Sequence, residues 1–319
     1  MGLSKSYDLA IVGHITLDLI SRKGSRHPFF VIGGPPVYGG LAARRLGATV
    51  ILISKVGPDF GDERMLWLSR AGLDTSLIKL SKTPTTRFDI SYKDGNRYLR
   101  LLHRCSPITS KDIPRNLKPK ALHVGAVAGE VSKSAFKLLK KLVCIKSIDL
   151  QGVLRAFTDN GYITLRGSKL TERVLSMFDV VCGSLEEHQA LLGPPLDLYS
   201  LLKRLGNRIV IITVGSKGSF VKAEGYVYSI PAYEDVKIVD PTGAGDTYLA
   251  SFLYTYSLGE EVAWSASIAT AAASFVVEGV GPSCFGTLSM VEERARKIYE
   301  RVERRKITKP HERSCESLL

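Results

Sequence analysis

Several features that would point to a simple special case are scarce or missing in this chain. Its 319 residues hold five cysteines, Cys105, Cys144, Cys182, Cys284 and Cys315, with no Cys-x-x-Cys pair and no histidine at ligand spacing. That excludes a disulfide scaffold and argues against structural zinc, leaving reduced thiols used as small apolar or surface residues. No apolar run has the length of a membrane span, and the longest stretch, Ala263 to Val277, is rich in Ala and Ser and includes Trp264. Met1 to Lys5 runs almost directly into a strand-like segment, with no room for a leader, so a cytoplasmic protein with no membrane partner is expected. Repeats and low-complexity linkers are absent too. Acidic residues are short, 31 against 44 lysines and arginines, for a formal charge of +13. The basic excess gathers only in Lys133 to Lys146 and Arg294 to Arg313, without the aromatic interleaving of a base-stacking surface. The expectation is therefore no nucleic-acid partner, and anionic, phosphorylated substrates instead.

The apolar content, 45%, suffices for a full core. Leu9 to Gly13, Thr49 to Val56, Ala121 to Val124, Ser147 to Leu150, Val180 to Cys182 and Arg208 to Val214 read as buried strands. Helical stretches separate them, among them Pro35 to Leu46, Met65 to Ala71, Gly245 to Leu258, Val262 to Val277 and Val291 to Arg305. That alternation predicts an α/β fold with a mostly parallel central sheet and helices on both faces, a three-layer α/β/α sandwich. Between Arg87 and Leu102 the pattern changes to two alternating runs around Asp94-Gly95, the signature of an antiparallel hairpin. The chain is read as one domain over residues 1–319, with a small β-sheet lid from about 15–35 and 84–103 and a flexible basic tail at 307–319.

The most informative segment is Val239-Asp240-Pro241-Thr242-Gly243-Ala244-Gly245-Asp246-Thr247, which leads into an apolar helix. Small residues there let backbone N–H groups converge at a helix N-terminus, where the dipole favours negative charge. Asp246 can be read as a capping acid after a glycine turn. It can also be read as a base that deprotonates an attacking hydroxyl while the N–H groups stabilise phosphoryl charge. Other candidates fall where strands of an open α/β sheet end, at the place where ligands bind in such sheets. They are Asp18, the Gly33-Gly34 pair, Gln151, the Gly215-Ser216-Lys217-Gly218 loop after the Val210 strand, and Asp240 and Asp246 after a strand around Lys237. Each has a plainer explanation as a cap, turn or hairpin loop, but their shared placement favours a common site.

Asp-Pro-Thr-Gly-Ala-Gly-Asp followed by Ala250-Ser251-Phe252 resembles the second signature of the ribokinase (PfkB) carbohydrate kinase family. Gly33-Gly34 through Leu46-Gly47 is similar to its first signature. Val56 to Gly61 and Thr213 to Gly218 fit the same pattern, so the likeness spans roughly residues 8–290. The resemblance implies an ATP-dependent phosphotransferase with a ribokinase-like fold. It implies Asp246 as the catalytic base, Gly243, Ala244 and Gly245 as the anion hole, and Asp18, Gly33 and Gly34 around the acceptor. Thr213, Gly215, Ser216 and Gly218 would line the nucleotide site with Gly243 and Gly245, and Arg155 would approach the phosphates. Asp240 and Thr242 match positions that hold a monovalent cation, K+, in many members.

Two departures bear on the substrate. Cys182-Gly183-Ser184-Leu185-Glu186-Glu187 puts Ser184 where the family carries Asn, and keeps Glu187, which would organise Mg2+ through water. Tyr38 stands where sugar kinases carry a substrate-binding Asn, so the pocket is not built for ribose. Asp149-Leu150-Gln151-Gly152-Val153-Leu154-Arg155-Ala156-Phe157 replaces the usual Asp-x-Asn-x-Arg and, with Ser-x-Glu-Glu, looks like the inositol kinase branch. Gln151 can donate and accept hydrogen bonds at once, as a ring of hydroxyls requires. The expected acceptor is myo-inositol or a related polyol. A nucleoside, sugar or sugar-acid kinase of the same family and a non-catalytic kinase-like binding protein are the alternatives. A homodimer joined through the lids is the expected assembly.

Overall fold

Alternation in the buried strands decides the layering. In the computed structural model, which describes residues 6–21, 28–93, 96–167, 173–193, 202, 206 and 208–307, successive residues of one strand feed two separate cores. Strand β1 (Tyr7–Val12) sends Leu9 and Ile11 into one and Ala10 and Val12 into the other; β4 (Val50–Val56) divides Val50 and Leu52 from Ile51 and Ile53 in the same way. A strand buried on both faces reads as a continuous apolar run, and it requires helices on both sides.

The remaining strands are β2 (Thr16–Ser21), β3 (Phe29–Gly33), β5 (Leu73–Leu80), β6 (Arg87–Lys93), β7 (Asn96–His103), β8 (Pro119–Val124), β9 (Ile145–Asp149) and β10 (Arg155–Phe157). They continue with β11 (Ile163–Leu165), β12 (Val180–Ser184), β13 (Ile209–Thr213), β14 (Ser219–Ala223), β15 (Tyr226–Ile230) and β16 (Glu303–Lys306). The described helices are α1 (Pro35–Arg45), α2 (Asp62–Arg70), α3 (Lys133–Leu139), α4 (Gln151–Leu154), α5 (Leu185–Leu192), α6 (Ala244–Ser257), α7 (Val262–Val276) and α8 (Leu288–Tyr299).

Ten strands form the central sheet in the order β16-β15-β14-β13-β12-β9-β8-β1-β4-β5. From β13 to β5 every pairing is parallel, while β14, β15 and β16 add an antiparallel edge. This is the three-layer α/β/α sandwich that the alternation of strands and helices predicts. Helices α1, α6, α7 and α8 pack on one face; α3 and the segment holding Val174, Leu175 and Phe178 pack on the other.

The lid is a separate four-stranded sheet, β3-β2-β6-β7, and its strands fall within the two stretches expected from sequence. Its hinge sits where β1 passes into β2 and meets the start of β6. There His14 Nδ1 and Thr86 Oγ1 share a hydrogen bond of 2.7 Å, and the Leu17 N–H donates to the Thr86 carbonyl at 2.9 Å. The buried Glu130 carboxylate accepts the backbone N–H groups of His14, Val127 and Ala128, which ties the loop after β8 beneath the same hinge. The Asp94-Gly95 turn and residues 308–319 of the expected tail lie outside the described residues.

Two elements differ from expectation. No strand forms around Lys237: residues 231–243 run irregularly, and the Val239 and Asp240 N–H groups donate to the Val277 carbonyl at the end of α7. Pro231 and Pro241 bracket this stretch, and Ile238 is 57% exposed, so its apolar residues have no sheet to join. The last helix starts earlier and ends earlier, Leu288 to Tyr299 in place of Val291 to Arg305. Glu303 to Lys306 instead becomes the edge strand β16, whose charged side chains suit a sheet edge and whose Arg304 lies 4.5 Å over the Tyr226 ring.

Candidate active site

The carboxyl ends of β9, β12 and β13, the start of α6 and the underside of the lid enclose a cavity of about 210 Å³. Most of the residues singled out in the sequence meet there: Asp18, Gly34, Tyr38, Gln151, Arg155, Ser184, Glu187, Thr213, Thr242, Gly243, Gly245 and Asp246. Gly33, Ala244, Asp240, Gly215, Ser216 and Gly218 do not line it. Gly215 to Lys217 make a single tight turn directly after β13, closed by the Val214 N–H on the Gly218 carbonyl. Asp18 belongs to β2 of the lid, not to the end of a central strand.

The turn before α6 is built from its own sequence. Asp240, 1% exposed, accepts the Thr242 N–H on Oδ1 at 3.0 Å, an Asx turn that redirects the chain after Pro241. Gly243 then takes the left-handed conformation, φ 83°. A Cβ there would lie 2.2 Å from the Tyr38 ring, so only glycine lets α1 and this turn approach so closely. Tyr38, 2% exposed, is the floor under the turn as well as part of the cavity wall. The Ala244 N–H donates to the Pro241 carbonyl, which removes it from the converging set. The amides of Gly243 and Gly245 remain at the helix start, ahead of the α6 ladder. Asp246 follows in the first turn of α6.

A carboxylate cluster faces this turn. The Gln151 amide reaches Asp246 Oδ1 at 3.3 Å and Asp149 Oδ2 at 3.4 Å. Burial holds the Asp149 carboxyl well above the usual carboxylate range, with the charges of Glu187 and Asp246 adding to the push and the Gln151 N–H and Arg155 opposing it. The Cys182 thiol is held high by burial and by Asp149 and Glu187, so it stays neutral. Ser184 caps α5: its hydroxyl accepts the Glu187 N–H at 3.2 Å, and Glu187 Oε2 accepts the Ser184 N–H at 2.9 Å. Both residues are thus held by this cap, at the cavity wall. Among the described residues no group of three His, Cys, Asp or Glu is arranged to hold a metal by itself.

Sequence reasoning missed the roof and one wall. Phe88, Ile90 and Leu99 of the lid and Val127 after β8 close the cavity from above with apolar surface. Thr16 lies two residues before Asp18 and faces the same cavity; its Oγ1 is buried with no hydrogen-bond partner among the described residues. The space beside both comes from Gly33, where a Cβ would lie 2.6 Å from Asp18 Oδ2 and 2.9 Å from Thr16 Oγ1. The signal was present in the period-two spacing of Thr16 with Asp18 and of Phe88 with Ile90.

The profile described as "pfkB family carbohydrate kinase" matches residues 8–285. A nucleoside kinase of Methanothermobacter thermautotrophicus is 26% identical over 297 residues, 88% of this chain and 92% of the relative. An inositol 3-kinase of Oryza sativa subsp. japonica is 29% identical over 259 residues, 76% of this chain and 61% of the relative. Among solved structures, a pyrophosphate-dependent kinase of the ribokinase family, complexed with a pyrophosphate analog and myo-inositol, superposes with a TM-score of 0.77 at 22% identity. That likeness covers 89% of this chain and 99% of the other. No described helix is long and apolar enough to cross a membrane.

Proposed function

The chain belongs to the pfkB family of carbohydrate kinases, phosphotransferases with hydroxyl acceptors, and from that membership we propose that it moves the γ-phosphoryl group of ATP onto myo-inositol or a closely related polyol. The observation that carries the reading is the meeting of Asp246, the Gly243–Gly245 turn, Asp18 and Gln151 in one cavity. Asp18 and Thr16 hold acceptor hydroxyls from the lid side. Asp246 takes the proton of the attacking hydroxyl, the oxygen forms the new O–P bond, and the donor's bridging O–P bond breaks with its electrons leaving on the nucleoside diphosphate. The Gly243 and Gly245 amides stabilise the charge on the transferring group, the main requirement of phosphoryl transfer. Thr213, Ser184 and the Gly215-Ser216-Lys217-Gly218 turn form the nucleotide side, and Arg155 faces the phosphates.

Three carboxyl groups at one cavity, one of them driven toward its neutral form by burial and then by the charges of the other two, fit a site that takes a cation together with phosphates. Glu187 would hold Mg2+ through water, which suits an ion that binds phosphates and keeps much of its hydration shell; when bound it neutralises phosphate charge. The Asp240–Thr242 turn carries the proposed K+ dependence. A compact cavity with polar groups on its floor and an apolar roof suits a polyol ring, whose hydroxyls and C–H face need different surroundings. The nucleoside reading draws support from the relatives named nucleoside kinases. The lid's outer face exposes Phe30 (52%) and Tyr98 (47%), which favours the lid-to-lid dimer; a monomer in sedimentation at micromolar protein would overturn that part.

The decisive assay detects phosphorylated product from myo-inositol, cytidine, adenosine, ribose and fructose, with ATP or pyrophosphate as donor, Mg2+, and K+ present or absent. Asp246→Asn should lower kcat by roughly 10²–10⁴-fold while calorimetry still registers donor and acceptor. Turnover near the wild-type rate in that variant would overturn the mechanism.

A further inference from the structure

Gln151 occupies a place that the transfer scheme leaves unexplained. It opens α4 directly after β9 and stands 95 residues from Asp246 in the chain, yet its side chain touches that carboxylate. A side-chain amide carries two N–H donors. One is directed to Asp246 Oδ1 and the other to Asp149 Oδ2, while the Gln151 backbone N–H donates to Asp149 Oδ1 at 3.0 Å. Turning the amide over would set its oxygen against two carboxyl groups, so the neighbours fix its orientation. Its donors are therefore engaged within the protein.

The residue is also anchored from behind. Helix α4 runs straight into β10, which pairs with β11, and this small arm is fastened to the lid. The Leu101 N–H of β7 donates to the Gly161 carbonyl at 2.8 Å, Arg100 bridges to Tyr162, and the Arg104 guanidinium lies 5.2 Å over the Phe157 ring.

Resting on the phosphoryl-transfer reading above, we propose that Gln151 is the positioning residue of the base: its amide holds the Asp246 carboxylate in the orientation that receives the acceptor proton, braced by Asp149 and by the arm fastened to the lid. A residue that acts this way changes turnover, not acceptor affinity.

The test is a double-mutant cycle on the full chain with ATP, Mg2+ and myo-inositol, cytidine replacing myo-inositol if the nucleoside is the better acceptor. Gln151→Leu removes both donors; Gln151→Met, of similar length and also without donors, repeats the measurement should the first variant fold poorly. Loss of a hydrogen bond to a charged group predicts a kcat reduced roughly 10–100-fold, with acceptor and donor KM within about threefold of wild type. Gln151→Asn, which keeps the amide but is one methylene shorter, recovers part of the loss. In an Asp246→Asn background the same substitutions add little, because their route to the reaction is already gone. An acceptor KM that rises with kcat unchanged, or a full additive loss in the Asp246→Asn background, overturns the proposal and makes Gln151 a substrate contact. Failure of the underlying scheme reads differently: Asp246→Asn alone would then turn over normally.

Discussion

The floor and the roof of the cavity are built by different physics. The floor is made of strand ends and helix starts and collects the carboxyl cluster and its amide, Asp149, Gln151, Glu187 and Asp246, while Thr16 and Asp18 reach the cavity from the lid. Asp149 ends a strand of the ten-stranded sheet, and the other three lie in the first turns of α4, α5 and α6, beside a sheet with core packed on both of its faces. The roof is a four-stranded sheet that offers Phe88, Ile90 and Leu99 to the cavity and has its own small apolar cluster with Ile20, Val127 and Ala128. Chemistry needs groups held to fractions of an ångström, which a doubly covered sheet supplies. Covering the cavity needs apolar surface, which the thin four-stranded sheet supplies. Binding and turnover should therefore respond separately to changes in the two regions.

The largest effect should come from the floor. Gly243→Ala places a methyl group into the Tyr38 ring at a backbone conformation that alanine resists, φ 83°. Loss of a properly aimed amide predicts a kcat reduced roughly 10²–10³-fold, with a fall in Tm alongside it. Steady-state kinetics and a thermal melt check both.

A roof change should do something else. Phe88 is 3% exposed and packs near Phe157, ring centroids 6.4 Å apart. Phe88→Leu keeps the lid apolar and trims the surface it offers to the cavity. A loss of this size in an apolar pocket predicts an acceptor KM raised about tenfold, a kcat changed by less than about threefold, and more ATP hydrolysis without acceptor. Initial rates of product and of free phosphate separate these. A kcat loss as deep as that of Gly243→Ala would erase the distinction between floor and roof.

How much of this could be read in advance follows the same division. Six strands of the central sheet, β1, β4, β8, β9, β12 and β13, were legible because burial on both faces leaves an unbroken apolar run, as in Leu9 to Val12, whereas β5, β14 and β15 were not read. The glycine turn was legible because its left-handed backbone and close approach to Tyr38 force its residue types. The stretch around Lys237 misled because Ile238 and Val239 resemble a strand in composition, yet two prolines and an exposed path keep them from pairing. Arg301 to Arg305 misled because charge suits a solvent-facing helix and a sheet edge equally. The Gln151–Asp246 contact could not be read at all, since it exists only once β9 and α6 are brought side by side. Thr16 and Phe88 stood in plain alternation, but period-two spacing does not say which face looks onto a ligand.

The smallest effect concerns the sheet beneath the floor. His123 of β8 is fully buried, its Nδ1 is 3.1 Å from the Ser147 hydroxyl, and burial pushes its pKa down to about 3. In the unfolded chain an imidazole binds a proton near pH 6.5. Between those limits the unfolded state takes up a proton that the folded state refuses, so stability is whole above about 6.5 and drains away as pH falls toward about 3. His188 in α5, pushed down to about 4 by burial, acts in the same direction. His123→Asn leaves a short amide facing Ser147 and removes the titration. It should cost on the order of 1 kcal/mol at pH 8 as a cavity, and the gap to wild type should narrow steadily between pH 6.5 and 4. Urea midpoints measured across that range give the answer. Two parallel curves would place the acid sensitivity elsewhere, with the hinge residue His14, whose pKa burial also lowers, as the next to replace.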